Sequence, residues 1–130
     1  MVVTASAVSL TVANVAASRD FLVRHFGFVE VMGVEGVVAS LKRDDALNIV
    51  LLQQGSEQLP DGFRDRHATG VIVALTVTDL AAEEARLRRA GVVISMPLRE
   101  EPWGERLFQV TDPNGVIVQL VEWAPGAGQW

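Results

Sequence analysis

Two stretches of the chain have closely similar sequences: SLTVANVAA at residues 9–17 and ALTVTDLAA at residues 74–82. A second pair follows them, GFVEVM at residues 27–32 and GVVISM at residues 91–96. Each copy therefore has the same order of parts: a β-rich run, an Asn or Asp, an amphipathic stretch, a glycine and another β-rich run. Because self-similarity at a fixed spacing indicates an internal repeat, the sequence predicts two copies of one folding unit.

Each copy contains signals for the beginning and the end of a helix. Asn14 and Asp79 are residue types that cap helix N-termini, and each stands directly before an amphipathic stretch. Gly27 and Gly91 stand where a glycine in the left-handed conformation ends a helix. The β-rich runs after the helices predict strands at about 28–34, 37–43 and 46–52, and at about 93–98, 105–111 and 116–122.

The order of elements predicts two βαβββ units, at residues 5–54 and 70–124, within one domain of residues 1–130. The polar segment 53–69 contains a Pro-Asp-Gly sequence and is expected to link the units as a surface loop. The sequence DPNG at residues 112–115 predicts a turn between the last two strands. The expected fold class is α+β.

Composition excludes several classes of protein. The chain has 130 residues, of which 49% are hydrophobic and 21% charged, a mixture typical of globular proteins. It has no cysteine, which excludes disulfides, thiolate metal sites and a cysteine nucleophile. A net charge of −5 argues against a nucleic-acid partner, and no apolar run is long enough for a membrane span. Because the first residues lack the basic region of a signal peptide, we expect a cytoplasmic location.

The predicted order of elements resembles the vicinal oxygen chelate superfamily, which includes glyoxalase I, extradiol dioxygenases, fosfomycin-resistance transferases and bleomycin-resistance proteins. The resemblance covers nearly the whole chain and is most specific in PWGERLF at residues 102–108, DPNG at 112–115 and VQL at 118–120. A Pro-Trp-Gly loop before the seventh strand is especially common in the drug-binding branch. The resemblance implies a cupped mixed β-sheet with helices on its convex face, a ligand in its concave face, and a homodimer.

Enzymes of this superfamily carry His, Glu or Gln at four strand positions that hold a metal ion. By resemblance, these positions match Ala7, Asn48, Ile72 and Gln119, with Val50 as an alternative to Asn48. Alanine and isoleucine have no donor atom, and the amides are weak neutral ligands. We therefore expect neither a metal ion nor another cofactor.

Other catalytic groups are scarce. The two histidines, His25 and His67, are expected at the solvent edge of the first helix and on the surface of the linker. The chain has no tyrosine, no Ser–His–Asp order and no glycine-rich phosphate loop. The candidate carboxylates are expected to face solvent: Glu83, Glu84, Glu100, Glu101 and Glu105. No residue is assigned a catalytic role.

A cup without a metal site becomes an apolar cavity with a few polar groups, the usual composition of a small-molecule site. The resemblance implies that Trp103 stacks on a planar ligand, and Asn48 and Gln119 could orient it by hydrogen bonds. Val38 replaces an aromatic residue of bleomycin-resistance proteins, and Phe63 of the linker could cover the cup. The remaining expected lining residues are Ala7, Met32, Val50, Leu52, Ile72 and Phe108. Core packing is the alternative for Phe108, and a plug on the sheet rim for Trp103.

Three functional hypotheses follow. The first is a metal-free protein that sequesters a bulky, hydrophobic, largely planar natural product or antibiotic and so confers self-resistance. The second is a metal-independent biosynthetic isomerase, cyclase or lyase, although the cup has no obvious base. The third is a metal-dependent enzyme of glyoxalase or dioxygenase type whose ligands lie at other positions. The expected partners are a polycyclic or aromatic small molecule and a second copy of the chain.

Overall fold

The chain forms two helices and eight strands in a computed structural model that describes residues 1–130. The first half contains β1 (Ala7–Val12), α1 (Val15–Phe26), β2 (Val29–Val34), β3 (Val38–Lys42) and β4 (Asn48–Gln53). The second half contains β5 (Ile72–Thr76), α2 (Leu80–Arg89), β6 (Ile94–Glu100), β7 (Glu105–Thr111) and β8 (Ile117–Trp123). The halves belong to two compact units, Met1–Thr69 and Gly70–Trp130, and each has the order βαβββ. The predicted α+β fold class is confirmed.

Each unit contains one mixed four-stranded sheet. The strand order is β1-β4-β3-β2 in the first unit and β5-β8-β7-β6 in the second. The first strand of each unit runs parallel to the last, whereas the other neighbouring pairs are antiparallel. A parallel pair needs a long crossover connection between its two strands, and the helix of each unit lies within that connection.

The helices begin and end at the residues that the sequence indicates. The Asn14 side chain accepts a hydrogen bond from the Ala17 amide at 3.1 Å, and the Asp79 side chain accepts one from Ala82 at 3.1 Å. Gly27 follows α1 with a φ of +69°, in the left-handed region where a side chain would be strained. The N-caps and the end of α1 therefore confirm the predicted helix signals.

Each helix packs against the sheet of its own unit. α1 contacts β2, β3 and β4, and α2 contacts β6, β7 and β8. The sheet residues on the side of the helix are almost completely buried, and they include Leu10, Leu41, Ile49 and Leu51 in the first unit and Phe108, Val110, Val118 and Leu120 in the second. We call this side of each sheet the helix face and the opposite side the open face.

Two apolar residues next to the strands, Leu47 and Val71, are exposed. Each stands immediately before the first residue of its strand, Asn48 or Ile72, and therefore lies beyond the paired part of the sheet.

The polar segment 53–69 is a folded loop of the first unit. The Gly55 amide donates to the Arg64 carbonyl at 2.7 Å, and the Ala68 amide donates to the carbonyl of Thr11 in β1 at 2.8 Å. The first bond closes the segment on itself, and the second ties its C-terminal end to β1. Neither helix of the chain combines the length and the apolar character that crossing a membrane would require.

Candidate functional site

Strand register places most of the predicted site residues of the first unit on its open face. In parallel and antiparallel ladders, directly opposite residues point to the same side of the sheet. Ala7 lies opposite Asn48, Val50 lies opposite Ser40, and Leu52 lies opposite Val38. Met32, opposite Ser40, completes the row. Met32 is exposed, whereas Val38 and Leu52 are buried, so different parts of this face differ in accessibility.

The register also decides which residue of the first unit corresponds to Gln119. In the second unit Gln119 lies opposite Ala74, and Ala74 corresponds to Ser9 in the repeated sequence. Ser9 lies opposite Val50 and not opposite Asn48. By register, the equivalent of Gln119 is therefore Val50, the alternative given for Asn48.

With this correction, the residues at the four positions do not fit a metal ion. They are Ala7, Val50, Ile72 and Gln119, a set that offers a single neutral amide as donor. Nowhere in the chain do three or more His, Cys, Asp or Glu side chains form a group that could hold a metal.

The open face of the second unit carries a row of three polar side chains, Glu105, Gln109 and Gln119. Gln109 Nε2 donates a hydrogen bond to Gln119 Oε1 at 2.8 Å. Gln119 Nε2 in turn donates to Glu105 Oε1 at 3.4 Å. Both the oxygen and the nitrogen of the buried Gln119 amide therefore have protein partners, and this side chain holds Gln109 and Glu105 in place.

Glu105 does not face solvent as expected. Its residue exposure is 9%, and it takes part in none of the ion pairs of the chain. The other candidate carboxylates differ: Glu83, Glu84 and Glu101 pair with arginines, and Glu100 is exposed. The alternation of side chains along β7 gives a sequence signal for the placement of Glu105, because residues 105, 107 and 109 share one side of the strand.

Two tryptophans lie close to this row in the chain. Trp103, two residues before Glu105, is 61% exposed. Trp123 lies directly opposite Glu105 in the β7–β8 ladder. Its Nε1 is buried without a hydrogen-bond partner, and its ring meets that of Trp130 edge-to-face at 6.0 Å. Sequence reasoning left Trp123 without a firm role.

The C-terminal segment packs against the loop that carries Trp103. The Ala124 amide donates to the Gly104 carbonyl at 2.8 Å. Gly104 has a φ of +87°, and a Cβ at this position would lie 2.7 Å from the Ala127 Cβ. Only glycine fits both the backbone conformation and this close approach.

The remaining predicted site residues have different surroundings. Phe108 is fully buried and lies opposite Leu120 on the helix face, so its prediction as a lining residue was wrong and the core alternative applies. Ile72 is exposed on the open face of the second unit. Phe63 is exposed in the first unit, with the Arg66 guanidinium 5.5 Å from its ring centre.

Neither histidine lies on an open face. His25 is half-buried on α1, and its ring meets that of Phe21 edge-to-face at 5.1 Å. His67 is exposed in the loop, where its Nε2 lies 2.6 Å from Gln54 Oε1. Their positions agree with the surface placement expected from the sequence.

Comparisons with known proteins point to one superfamily. A family model described as the Glyoxalase/Bleomycin resistance protein/Dioxygenase superfamily matches residues 4–120. Two curated relatives, the uncharacterized proteins Mb0911c of Mycobacterium bovis and Rv0887c of Mycobacterium tuberculosis, are each 29% identical over 116 residues. The match covers 82% of this chain and, respectively, 74% and 66% of the relatives.

Solved structures show the same fold at low sequence identity. A glyoxalase/bleomycin resistance protein/dioxygenase from Nocardioides has a TM-score of 0.78 and 19% identity, covering 100% of this chain and 91% of that one. Lactoylglutathione lyase from Agrobacterium tumefaciens has a TM-score of 0.73 and 19% identity, with 92% and 94% covered. TioX from Micromonospora sp. ML1 has a TM-score of 0.69 and 24% identity, with 94% and 100% covered.

Proposed function

The chain belongs to the Glyoxalase/Bleomycin resistance protein/Dioxygenase superfamily, and from this premise we propose that it is a metal-free binding protein for a bulky, hydrophobic, largely planar small molecule. The superfamily contains both enzymes and proteins that bind without turnover. The observation that carries the proposal is the composition of the four positions described above: Ala7, Val50, Ile72 and Gln119. Apolar side chains at three of them favour burial of apolar ligand surface over coordination of a cation.

The open faces supply the contacts that such a ligand needs. On the open face of the first unit Ala7 is small and Met32 is flexible and polarizable, and on that of the second unit Ala74 is small. The exposed indole of Trp103 offers a flat surface for stacking. Binding of this kind breaks no bond, so we propose self-resistance by sequestration of a natural product or antibiotic. Sequestration protects a target in the same compartment, and we therefore propose a cytoplasmic location.

Calorimetric titration with a panel of planar polycyclic compounds, such as anthraquinones and acridines, tests the proposal. We expect at least one compound to bind more tightly than millimolar. Trp103→Ala should weaken that binding about two- to twelvefold, because aromatic stacking contributes about 0.5–1.5 kcal/mol. Val93→Ala truncates another exposed apolar side chain of the same unit and is the matched control. Absence of binding across the panel, or equal losses in both variants, would contradict the proposal.

A second candidate is a metal-independent isomerase, cyclase or lyase. The observation that favours it is Glu105, a buried carboxylate on the open face in a position to act as a base. Mass spectrometry of the compound recovered after incubation distinguishes the two candidates, since sequestration returns it unchanged and turnover alters its mass or its fragmentation.

We also propose that the protein is a homodimer. β2 is an outer strand of its sheet, and Val29, Val31 and Val34 on it are exposed. Apolar side chains on an unpaired strand edge favour a second copy of the chain as the covering partner. Sedimentation equilibrium should give twice the chain mass of 14.1 kDa, and Val31→Lys should shift the equilibrium towards the monomer. A wild-type protein that sediments as a monomer at micromolar concentration would refute this proposal.

A further inference from the structure

Glu105 is a buried carboxylate without a cationic partner. The nearby carboxylates are paired: Glu101 lies 2.7 Å from Arg99, and Glu122 lies 3.2 Å from Arg106. The only side-chain bond of Glu105 is the 3.4 Å contact from Gln119 Nε2, which is at the long end of the hydrogen-bond range. Because burying a charge without an ion-pair partner is unfavourable, a cation that reached this carboxylate would gain an interaction that the protein itself does not supply.

The surroundings of Glu105 on β7 and β8 are apolar and amide-like, and the basic residue nearest in register, Arg99 on β6 opposite Leu107, is paired with Glu101 at 2.7 Å. Its neighbours on the open face are Leu107 on the same strand and Trp123 and Val121 on β8. The register places no lysine or arginine on the open-face positions of β5, β7 and β8. On these three strands a ligand cation has no protein competitor, and the arginine of the neighbouring β6, Arg99, already has Glu101 as its partner.

Two further contacts fix and extend the site. Gln109 orients the Gln119 amide, whose Nε2 then points to Glu105, so the carboxylate is held by a chain of two hydrogen bonds. Trp123, directly opposite Glu105, contributes a buried indole N–H without a partner. The unmatched donor and the carboxylate without an ion-pair partner thus lie on the same rung of the ladder.

We propose that Glu105 anchors a protonated amine or ring nitrogen of the ligand, so that the ligand class is a planar aromatic compound with a basic nitrogen. This inference rests on the proposed function, since it names the chemistry of the same guest. Trp103 stands two residues before Glu105, and the stacking surface and the charged anchor therefore belong to one continuous segment.

Fluorescence titration with two tricyclic probes tests the inference: 9-aminoacridine, which is protonated at neutral pH, and acridone, which is planar and uncharged. We expect the wild-type protein to bind 9-aminoacridine about tenfold more tightly, a difference of about 1.4 kcal/mol. Glu105→Gln preserves the shape and the acceptor for Gln119 but removes the charge. It should abolish the preference and leave the affinity for acridone within about twofold of the wild-type value.

Glu100→Gln is the matched control, because it removes the same charge from an exposed position of the second unit. This variant should keep the preference for the cation. Titrations in about 0.5 M salt screen the long-range attraction that the net charge of −5 exerts on any cation, and the preference should persist there.

The outcomes separate the two proposals. If acridone binds but 9-aminoacridine binds no better, or if Glu105→Gln and Glu100→Gln reduce the preference equally, the inference is wrong and the proposed function stands. If Glu105→Gln weakens both probes equally, Glu105 has a structural role and the inference again fails. If neither probe nor any compound of the calorimetric panel binds, the proposed function fails, and the inference fails with it.

Discussion

Replacing Glu105 with glutamine should make the folded protein more stable. The variant keeps an oxygen that can accept the hydrogen bond from Gln119 and removes a charge that has 9% exposure and no ion-pair partner. Leaving a buried polar group without a full set of partners costs about 1–3 kcal/mol. Since some exposure remains and one long hydrogen bond is formed, we take the lower end and expect a gain of about 1 kcal/mol.

For a domain of this size, about 1 kcal/mol corresponds to a rise of about 4 °C in the unfolding midpoint. Thermal unfolding followed by circular dichroism at neutral pH measures it, with all variants at one protein concentration because assembly shifts the midpoint. Glu100→Gln, at an exposed position, should stay within about 0.5 kcal/mol of the wild-type protein. A lower midpoint for Glu105→Gln, or one equal to that of Glu100→Gln, would refute the argument that the carboxylate is buried at a cost.

Three other comparisons test the packing at Phe108, the turn at Gly104 and the ion pair of Asp45. Phe108→Ala should lower the free energy of unfolding in urea by about 3–5 kcal/mol, because Phe108 is fully buried. Trp103→Ala, at an exposed position, should lower it by less than about 0.5 kcal/mol. Similar losses in the two variants would place Phe108 outside the core. Gly104→Ala should destabilise the protein more than Gly115→Ala. Both glycines have a positive φ, but only at Gly104 would an added Cβ lie too close to a neighbouring Cβ. Equal shifts of the thermal unfolding midpoint would contradict this prediction. The hydrogen bond from the Arg43 guanidinium holds the pKa of Asp45 below its ordinary value of 3.8. The ionised carboxylate therefore stabilises the folded protein above pH 3.8. This contribution is lost as the pH falls through the lower pKa of the folded state. The difference in unfolding midpoint between the wild-type protein and Asp45→Asn should therefore shrink between about pH 6 and about pH 3, and a constant difference would count against the ion pair.

The parts of the fold that depend on local chemistry were predictable. Asn14, Asp79 and Gly27 act through bonds and dihedral angles within a few residues, so their types alone indicate where the helices begin and end. Alternation along β1 and β4 likewise separates Leu10 and Ile49 from Ala7 and Val50. The repeated sequence then predicts the same topology for both units.

The parts that depend on pairing between distant segments were not predictable. The choice between Asn48 and Val50 required the register of β4 against β1, because the sequence of β4 has no clear counterpart in β8. Phe108 follows another apolar residue, Leu107, so alternation alone does not assign its side of the sheet. The burial of Glu105 and the unpartnered indole of Trp123 arise from tertiary packing, which no local pattern reveals.

The central claim is that the protein binds a planar guest without a metal ion and without changing it. The most direct test is calorimetric titration of the protein with a binding polycyclic compound, once after exhaustive treatment with a chelator and once with added divalent metal, followed by mass spectrometry of the recovered compound. We predict equal affinity in both titrations and full recovery of the unaltered compound. Binding that appears only with added metal, or recovery of a converted product, would contradict the claim.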